Sequence, residues 1–208
     1  MSMMWSLRGH LYEGRLLEEA IALAPGERSV LQCRLLIGRG FMAHLAGDPA
    51  WSYEAGRQAL EIAEEHDDDT LRGRCLVLMA YGHHYSDFSA AAELADRAEE
   101  AARRAGDEFT TDWAMVKKAL VLHQQDRHPE ALELARRAFA RAYPRGNRPC
   151  ASFARHCEAY SVLFAGDMRR GVELMTEAVR IAEPLGDFLV LGNHLAHLAW
   201  FTGLAGDA

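Results

Sequence analysis

Residues suited to turns recur along this chain at a nearly constant distance. One series is spaced by 39 to 41 residues and comprises Asp48, Asp87, Asp126, Asp167 and Asp207. A second series falls between its members, spaced by 39 or 40 residues, and comprises Asp68, Asp107, Asn147 and Asp187. A fixed period of this size is typical of solenoids, in which each unit stacks only on its neighbours. Solenoids usually provide binding surfaces, so the period favours binding over catalysis.

The turns divide each period into two helices. At Gly47-Asp48 the glycine can end one helix in the left-handed conformation, and the aspartate can cap the next helix. The same Gly-Asp pair stands at residues 106–107, 166–167, 186–187 and 206–207. We therefore expect helices at about 11–24, 28–46, 49–66, 70–85, 88–105, 109–125, 128–143, 149–165, 168–184 and 188–205.

The second helix of each predicted hairpin has alanines at matched positions. They form two series, four residues apart: Ala20, Ala59, Ala98, Ala138 and Ala178, and Ala24, Ala63, Ala102, Ala142 and Ala182. Small residues four apart on one face let two helix backbones approach closely. Alanine is common in helices of every kind, but its constant offset from the turns favours a packing role. The sequence thus predicts an all-α fold, a right-handed α-solenoid of about five helix-turn-helix repeats, with residues 1–208 as one domain.

The composition excludes several classes of protein. The chain has 208 residues, of which 50% are hydrophobic and 25% are charged, so it can bury a core. A formal charge of −7 disfavours a nucleic-acid-binding surface, which would need a basic stripe. No apolar run approaches the roughly 18 residues that span a bilayer. Four cysteines without a CxxC pair favour reduced thiols in a cytoplasmic protein.

Both ends of the sequence fall within a repeat. Residues 1–8 correspond to the tail of a helix, and 206–208 form a turn signal without a following helix. Apolar side chains near both ends are then left uncovered: Met3, Met4, Trp5, Leu7, Leu195, Leu198, Trp200 and Phe201. We expect a piece of a longer protein. The alternative is a free-standing chain that buries its exposed terminal helices in a homodimer.

Neither a catalytic site nor a cofactor is predicted. The sequence has no GxSxG, HExxH or dinucleotide-type glycine pattern. A zinc site would need three or four converging ligands. His194 and His197 lie three apart on one predicted helix, whereas Cys150 and Cys157 lie two turns apart and are too distant to share one ion. We therefore predict no metal site and no enzyme.

A binding groove is expected on the first helices of the hairpins, which line the concave face of such arrays. Groove positions in such arrays recur at fixed distances before the turn, so counting back by those distances from each turn aspartate selects the candidate residues. The predicted ligand-binding residues are Arg34, Phe41, His44, His83, His84, Asp112, His123, His156, Tyr160, Asn193 and Trp200. Aromatic and histidine side chains of this kind suit a peptide or a small organic effector. The alternative, that several are ordinary core or rim residues grouped by chance, stays open, as does a shift of one residue in register.

Two resemblances follow from these patterns. The hairpins resemble lengthened tetratricopeptide repeats, with Gly40 at the glycine position of that motif. The stretch 5–24 (WSLRGHLYEGRLLEEAIALA) resembles the opening of the helical-repeat region in large ATP-dependent LuxR-type bacterial regulators, which include the maltose-regulon activator. The segments 38-GRGFMAHLAGD-48 and 59-ALEIAEEHDD-68 resemble its continuation.

The second resemblance implies a role in effector sensing and protein contact within a transcriptional regulator. No GxxxxGK[ST] motif is present, so the ATPase and DNA-binding activities of those regulators are not carried over to these residues. We expect a non-catalytic sensory domain that binds an effector or a protein partner, without direct contact to nucleic acid or membrane. The alternative is a stand-alone adaptor that binds a peptide segment of a partner protein.

Overall fold

The predicted all-α repeat architecture is confirmed. The computed structural model describes residues 14–83 and 86–206, and it contains helices and no strand in these ranges. The α-helices are α1 (Gly14–Ala22), α2 (Val30–Leu45), α3 (Pro49–Glu65), α4 (Asp69–Gly82), α5 (Phe88–Ala105), α6 (Glu108–Gln124), α7 (His128–Ala142), α8 (Arg148–Phe164), α9 (Met168–Ala182) and α10 (Phe188–Leu204). A short 3₁₀ turn, Glu183–Leu185, follows α9.

The predicted helix bounds agree with these ranges to within three residues wherever both can be compared. The largest difference is at the end of α4, which stops at Gly82 instead of 85. The expected helical residues 11–13 and 84–85 lie outside the described part of the chain, as do residues 1–8. The turn spacing therefore located every described helix.

The chain divides into two compact units, with the division between Lys117 and Lys118, inside α6. In the first unit, helices that follow one another in sequence pack together from α1 to α5. In the second unit the same holds from α7 to α10. Each unit is thus built from neighbouring helices of a repeat array, without a sheet among the described residues.

Most of the described turns combine a left-handed residue with a capping residue. At Gly106 the backbone has φ 67°, and the next residue, Asp107, returns its N–H to the carbonyl of Ala102 at 2.9 Å. Asp107 Oδ1 then accepts a hydrogen bond from the N–H of Thr110 at 3.2 Å. The two bonds satisfy backbone groups at the end of one helix and the start of the next. Equivalent aspartate caps are made by Asp48, Asp68, Asp87, Asp167 and Asp187.

Two turns of the predicted series lack a side-chain cap on the following helix. Asp126 does not cap a helix, because it is preceded by Gln125 and itself adopts the left-handed conformation, with φ 59°. Arg127 then precedes α7 without a side-chain cap. Asn147 precedes α8 and makes no side-chain cap bond either. Asp207 lies outside the described residues.

The matched alanines form the contact surfaces between helices. Ala59, Ala98, Ala138 and Ala178 are 0% exposed, and so are the four alanines that follow them at the next turn. Ala20 and Ala24, at the start of the array, are half-buried. Glycines complete these contacts, because a methyl group at Gly171 of α9 would lie 2.9 Å from the Cβ atom of Leu163 in α8. The helices therefore pack nearly backbone to backbone.

This packing predicts opposite outcomes for two alanines of α7. Ala138 is fully buried, so Ala138→Leu would overpack the contact and lower the free energy of unfolding by about 1–3 kcal/mol. Ala140 is exposed on the same helix, so Ala140→Leu should change it by less than about 0.5 kcal/mol. Urea unfolding followed by circular dichroism measures both. Equal stability of the two variants would contradict the close packing.

Among the described helices, none combines the length and hydrophobicity that crossing a membrane requires.

Candidate functional site

In the first unit, predicted groove residues gather around a tyrosine. Phe41 and His44 of α2 lie against Tyr81 of α4, with ring centroids 6.2 and 4.7 Å apart. The Nζ atom of Lys117, whose side chain is fully buried, lies 4.6 Å from the Tyr81 ring centroid. Burial, assisted by the Lys117 charge, lowers the pKa of His44 to about 4. This group is an aromatic contact over a buried ammonium, which favours cation–π attraction.

The other predicted residues of the first unit are scattered. Arg34 is exposed on α2. His83 follows the end of α4 and packs on Tyr53, with the ring centroids 4.6 Å apart. Asp112 of α6 is only 1% exposed and therefore lies in the interior. His84 lies outside the described residues.

The second unit brings many more of these side chains together. We define the aromatic–histidine cluster as His123, His128, His156, Tyr160, Phe164, His194, His197 and Trp200. They come from α6, α7, α8 and α10, so three first helices and the start of one second helix build it. Asn193 is exposed on α10, one turn before His197.

Tyr160 is the centre of the cluster. Its ring centroid lies 4.8 Å from that of His123, 5.1 Å from His156, 5.3 Å from His197 and 5.9 Å from Trp200. The Tyr160 and His156 rings are nearly parallel, at 16°. Tyr160 also touches the small core below it, in which Phe201 is fully buried. The cluster is therefore anchored in the hydrophobic core of this unit.

Two aromatic side chains form the open edge of the cluster. Phe164 is 50% exposed and Trp200 is 44% exposed, with their ring centroids 6.3 Å apart. Phe164 stacks on His128 at 5.3 Å, and His128 lies next to His123, with the two Nδ1 atoms 3.1 Å apart. Large apolar surface that stays exposed beside polar groups is typical of a contact site.

The deepest part of the cluster is a chain of hydrogen bonds. The hydroxyl of Ser152 donates its only proton to the carbonyl of Pro149 at 2.8 Å. His194 Nε2, 3.2 Å from that hydroxyl, must then be the donor to it. In a neutral His194 the Nδ1 atom is an acceptor, so the Nδ1–H group of His156, 2.9 Å away, donates to it. This tautomer leaves His156 Nε2 as an acceptor.

Burial keeps the imidazoles of His123, His156 and His194 neutral at pH 7. It lowers the pKa of His194 to about 4, and the nearby His197 adds to the shift. It also lowers the pKa of His123 to about 4, assisted by His128. The pKa of His156 lies well below its usual range, because of its burial first and then of the surrounding histidines. These three side chains are therefore polar but uncharged near neutral pH.

His197 adds an unsatisfied polar atom to this site. Its Nδ1 atom is buried and has no hydrogen bond of normal geometry within the described residues. Burial lowers the pKa of His197, although the Asn193 carbonyl one turn earlier opposes the shift.

The histidines do not form a metal centre. Within residues 14–83 and 86–206, no group of three or more histidine, cysteine or acidic side chains is arranged to hold a metal ion. The cysteines at 33, 75, 150 and 157 are buried and form no disulfide. What the cluster offers a ligand is aromatic surface, neutral hydrogen-bonding groups and an open edge.

Several members of these groups were missed by counting back from the turns. Tyr81 was missed because α4 ends at Gly82, five residues before Asp87, whereas α2 ends three residues before Asp48. Because the turn before Asp87 is longer, a fixed distance counted back from Asp87 reaches a different position on the helix than the same distance counted back from Asp48. His128 was missed because it lies on a second helix. His194 faces inward on α10, a direction that only the packing of α8 against it reveals.

Comparisons with known proteins support the fold and leave the family open. No family model matches the chain, and no curated protein matches it. A similar solved structure is the crystal structure of a Rap protein complexed with competence and sporulation factor, with a TM-score of 0.73 and 16% identity. The match covers 94% of this chain and 60% of that one. At this identity the similarity concerns the helical-repeat fold; the link to LuxR-type regulators stays a prediction.

The buried histidines predict that acid destabilises the protein. Their folded pKa lies below the unfolded value of 6.5, so the unfolded chain binds more protons between pH 6.5 and 4. Stability should therefore be full above pH 6.5 and fall as the pH drops, by roughly 1–2 kcal/mol from His194 alone between pH 7 and 5. Urea unfolding at the two pH values measures the loss.

The variant His194→Asn tests the source of that loss. It should lower stability at pH 7, because it breaks the hydrogen-bond chain, but reduce the difference between pH 7 and pH 5. A difference as large as in the natural chain would show that His194 does not titrate as described.

Proposed function

We propose that this chain is a non-catalytic binding module that holds a peptide segment or a small effector on its first helices. The aromatic–histidine cluster is the main contact in the second unit. The observation that carries the proposal is the exposed pair Phe164 and Trp200 above neutral imidazoles. Concave sites for organic ligands combine apolar surface with a few polar groups in the same way.

The chemistry of the cluster selects the ligand. Because the imidazoles of His123 and His194 are neutral at pH 7, these two side chains supply no charge to pair with a charged group. His156 Nε2 offers an acceptor, and the rings of Tyr160 and Trp200 offer stacking surface. An uncharged peptide stretch with an aromatic or aliphatic side chain and neighbouring N–H donors fits these groups.

The similar structure supports a binding role. In that crystal a Rap protein is complexed with competence and sporulation factor. This chain spans 60% of that protein, so a bound factor there supports binding here without naming the ligand. A helical-repeat fold needs only exposed side chains on its first helices to act in this way.

We place the module in a cytoplasmic bacterial regulator, as its sensory and scaffolding segment. The support is the resemblance of residues 5–24 and 38–48 to the repeat region of LuxR-type regulators, together with buried cysteines that form no disulfide. A ligand that favours one curvature of a repeat stack would bias bending or self-association. The alternative is a stand-alone adaptor that binds a peptide of a partner protein. A coding sequence continuous with nucleotide-binding and helix-turn-helix segments would favour the regulator.

Binding should depend on the open edge of the cluster. Panning a displayed library of random peptides against the chain should enrich sequences with aromatic or aliphatic side chains. Phe164→Ala should weaken binding of an enriched peptide at least about tenfold, since it removes a large exposed ring from the contact. Fluorescence anisotropy of the labelled peptide measures the affinity.

The matched control is Phe109→Ala. Phe109 is an exposed phenylalanine near the start of α6, outside the cluster, and its removal should leave the affinity unchanged. Equal affinity of the natural chain and Phe164→Ala would contradict the proposed site. Failure of the library to enrich any sequence, with no thermal shift from a panel of metabolites, would contradict a binding function on this face.

A further inference from the structure

Two cysteines of the first unit lie in contact inside the protein. Cys33 belongs to α2 and Cys75 to α4, and both side chains are fully buried. The Cys75 thiol donates a hydrogen bond to the sulfur of Cys33, and the Cys33 thiol donates in turn to the carbonyl of Ala59 in α3, with Sγ and oxygen 3.2 Å apart. The two sulfur atoms are therefore neighbours, although the residues are far apart in the sequence.

The packing of the surrounding helices holds this contact in place. At Gly56 of α3, a methyl group would lie 3.3 Å from the carbonyl oxygen of Cys75, so α4 passes close to α3 there. At Gly40 of α2, a methyl group would lie 2.5 Å from the Cδ2 atom of Leu78 in α4, so α2 and α4 also meet further along both helices. Closely packed helices of this kind leave the two thiols little freedom to separate.

The two thiols differ in their chemical character. The hydrogen bond from Cys75 lowers the pKa of Cys33, because it stabilises the Cys33 thiolate. Burial raises the pKa of Cys75 well above its usual range, so this thiol keeps its proton. The thiolate is the form of cysteine that attacks an oxidant, and a second thiol beside it completes a disulfide. Cys33 suits the first role and Cys75 the second.

The other two cysteines cannot bond to each other. Cys150 and Cys157 are also fully buried, but they lie seven residues apart on α8. An α-helix rises about 1.5 Å per residue, so their α-carbons are separated by about 10 Å. A disulfide requires α-carbons within about 7 Å of each other. These two residues therefore provide an internal control, because they are equally buried but wrongly placed for pairing.

We propose that Cys33 and Cys75 form a redox pair, which a peroxide converts into a disulfide that joins α2 to α4. With hydrogen peroxide, the Cys33 thiolate attacks one oxygen: an S–O bond forms, the O–O bond breaks, and hydroxide leaves and takes up the proton that Cys33 released. The Cys75 sulfur then attacks the Cys33 sulfenic acid: the S–S bond forms, the S–O bond breaks, and the hydroxyl leaves as water with the proton of Cys75. Two thiols are oxidised and one peroxide is reduced, which gives one disulfide and two waters.

The disulfide links the same two helices that carry the aromatic contact of the first unit. Phe41 and His44 lie later on α2, and Tyr81 lies later on α4, with the rings in contact. A covalent bond between Cys33 and Cys75 restrains the distance between these helices. Oxidation therefore acts on the predicted groove residues of the first unit through the helices that position them.

Mass spectrometry of the natural full chain tests the proposal. Hydrogen peroxide is the probe, because it is small and can reach a buried sulfur through local openings. After treatment of the folded protein, the remaining thiols are alkylated in denaturant and the chain is digested. The peptides that contain Cys33 and Cys75 should be joined to each other, and dithiothreitol should separate them. No link at all, a link that forms only in the urea-unfolded chain, or links among the four cysteines without preference would overturn the proposal.

Substitution of each cysteine by serine tests the assigned roles. In Cys75→Ser the oxidised Cys33 has no second thiol, so its sulfenic acid should accumulate and be labelled by dimedone. In Cys33→Ser the remaining Cys75 keeps its proton and should be labelled several-fold less. The matched control Cys157→Ser should form the link between Cys33 and Cys75 as the natural chain does. Equal labelling of Cys33 in the natural chain and in Cys75→Ser would contradict the pairing. The experiments use no ligand, so their outcome is independent of peptide binding.

Discussion

The close contact between small residues of neighbouring helices is the interaction on which the structure depends. Alanines that recur four residues apart are fully buried between helices, and glycines such as Gly171 and Gly82 admit a neighbouring backbone. A methyl group at Gly82 would lie 3.0 Å from the carbonyl oxygen of Pro49. Such contacts leave little room for large side chains between the paired helices. The bulky residues must therefore lie elsewhere.

The first helices take up those bulky residues, which explains the candidate site. Tyr160 and Phe164 extend from α8 toward residues of α6 and α10, where the histidines also gather. Burial of these imidazoles removes their charge, and the chain of hydrogen bonds from Pro149 to His156 fixes which nitrogen remains free. The packing of the helices thus determines both the position and the protonation state of the binding groups. In this sense the scaffold and the site have one physical origin.

The sequence predicted the scaffold much better than the site. Turn residues such as Asp107 and alanines such as Ala138 report local geometry that repeats, so their spacing located the helices and their contact faces. Asp126 shows the limit of that approach, since a residue placed like the other caps took the left-handed position for lack of a glycine before it.

The site depends on contacts between distant residues, and a period does not reveal these. His156 and His194 are 38 residues apart, and only the packing of α8 against α10 makes their Nδ1 atoms neighbours. Asp112, which the count placed on the groove, is buried instead. The longer turn before Asp87 changed the distance between the turn and the groove positions, so Tyr81 was not predicted. Composition and spacing thus indicated the kind of site, but only the structure shows which residues form it.

Amide hydrogen exchange, followed by mass spectrometry at sub-micromolar protein concentration, tests the central claim most directly. If stability comes from contacts between neighbouring helices, protection should follow local burial. Peptides from α8, which buries eleven residues, should exchange much more slowly than peptides from α10, which buries three. Equal protection of α8 and α10, lost together in one global opening, would contradict an array held together by local contacts.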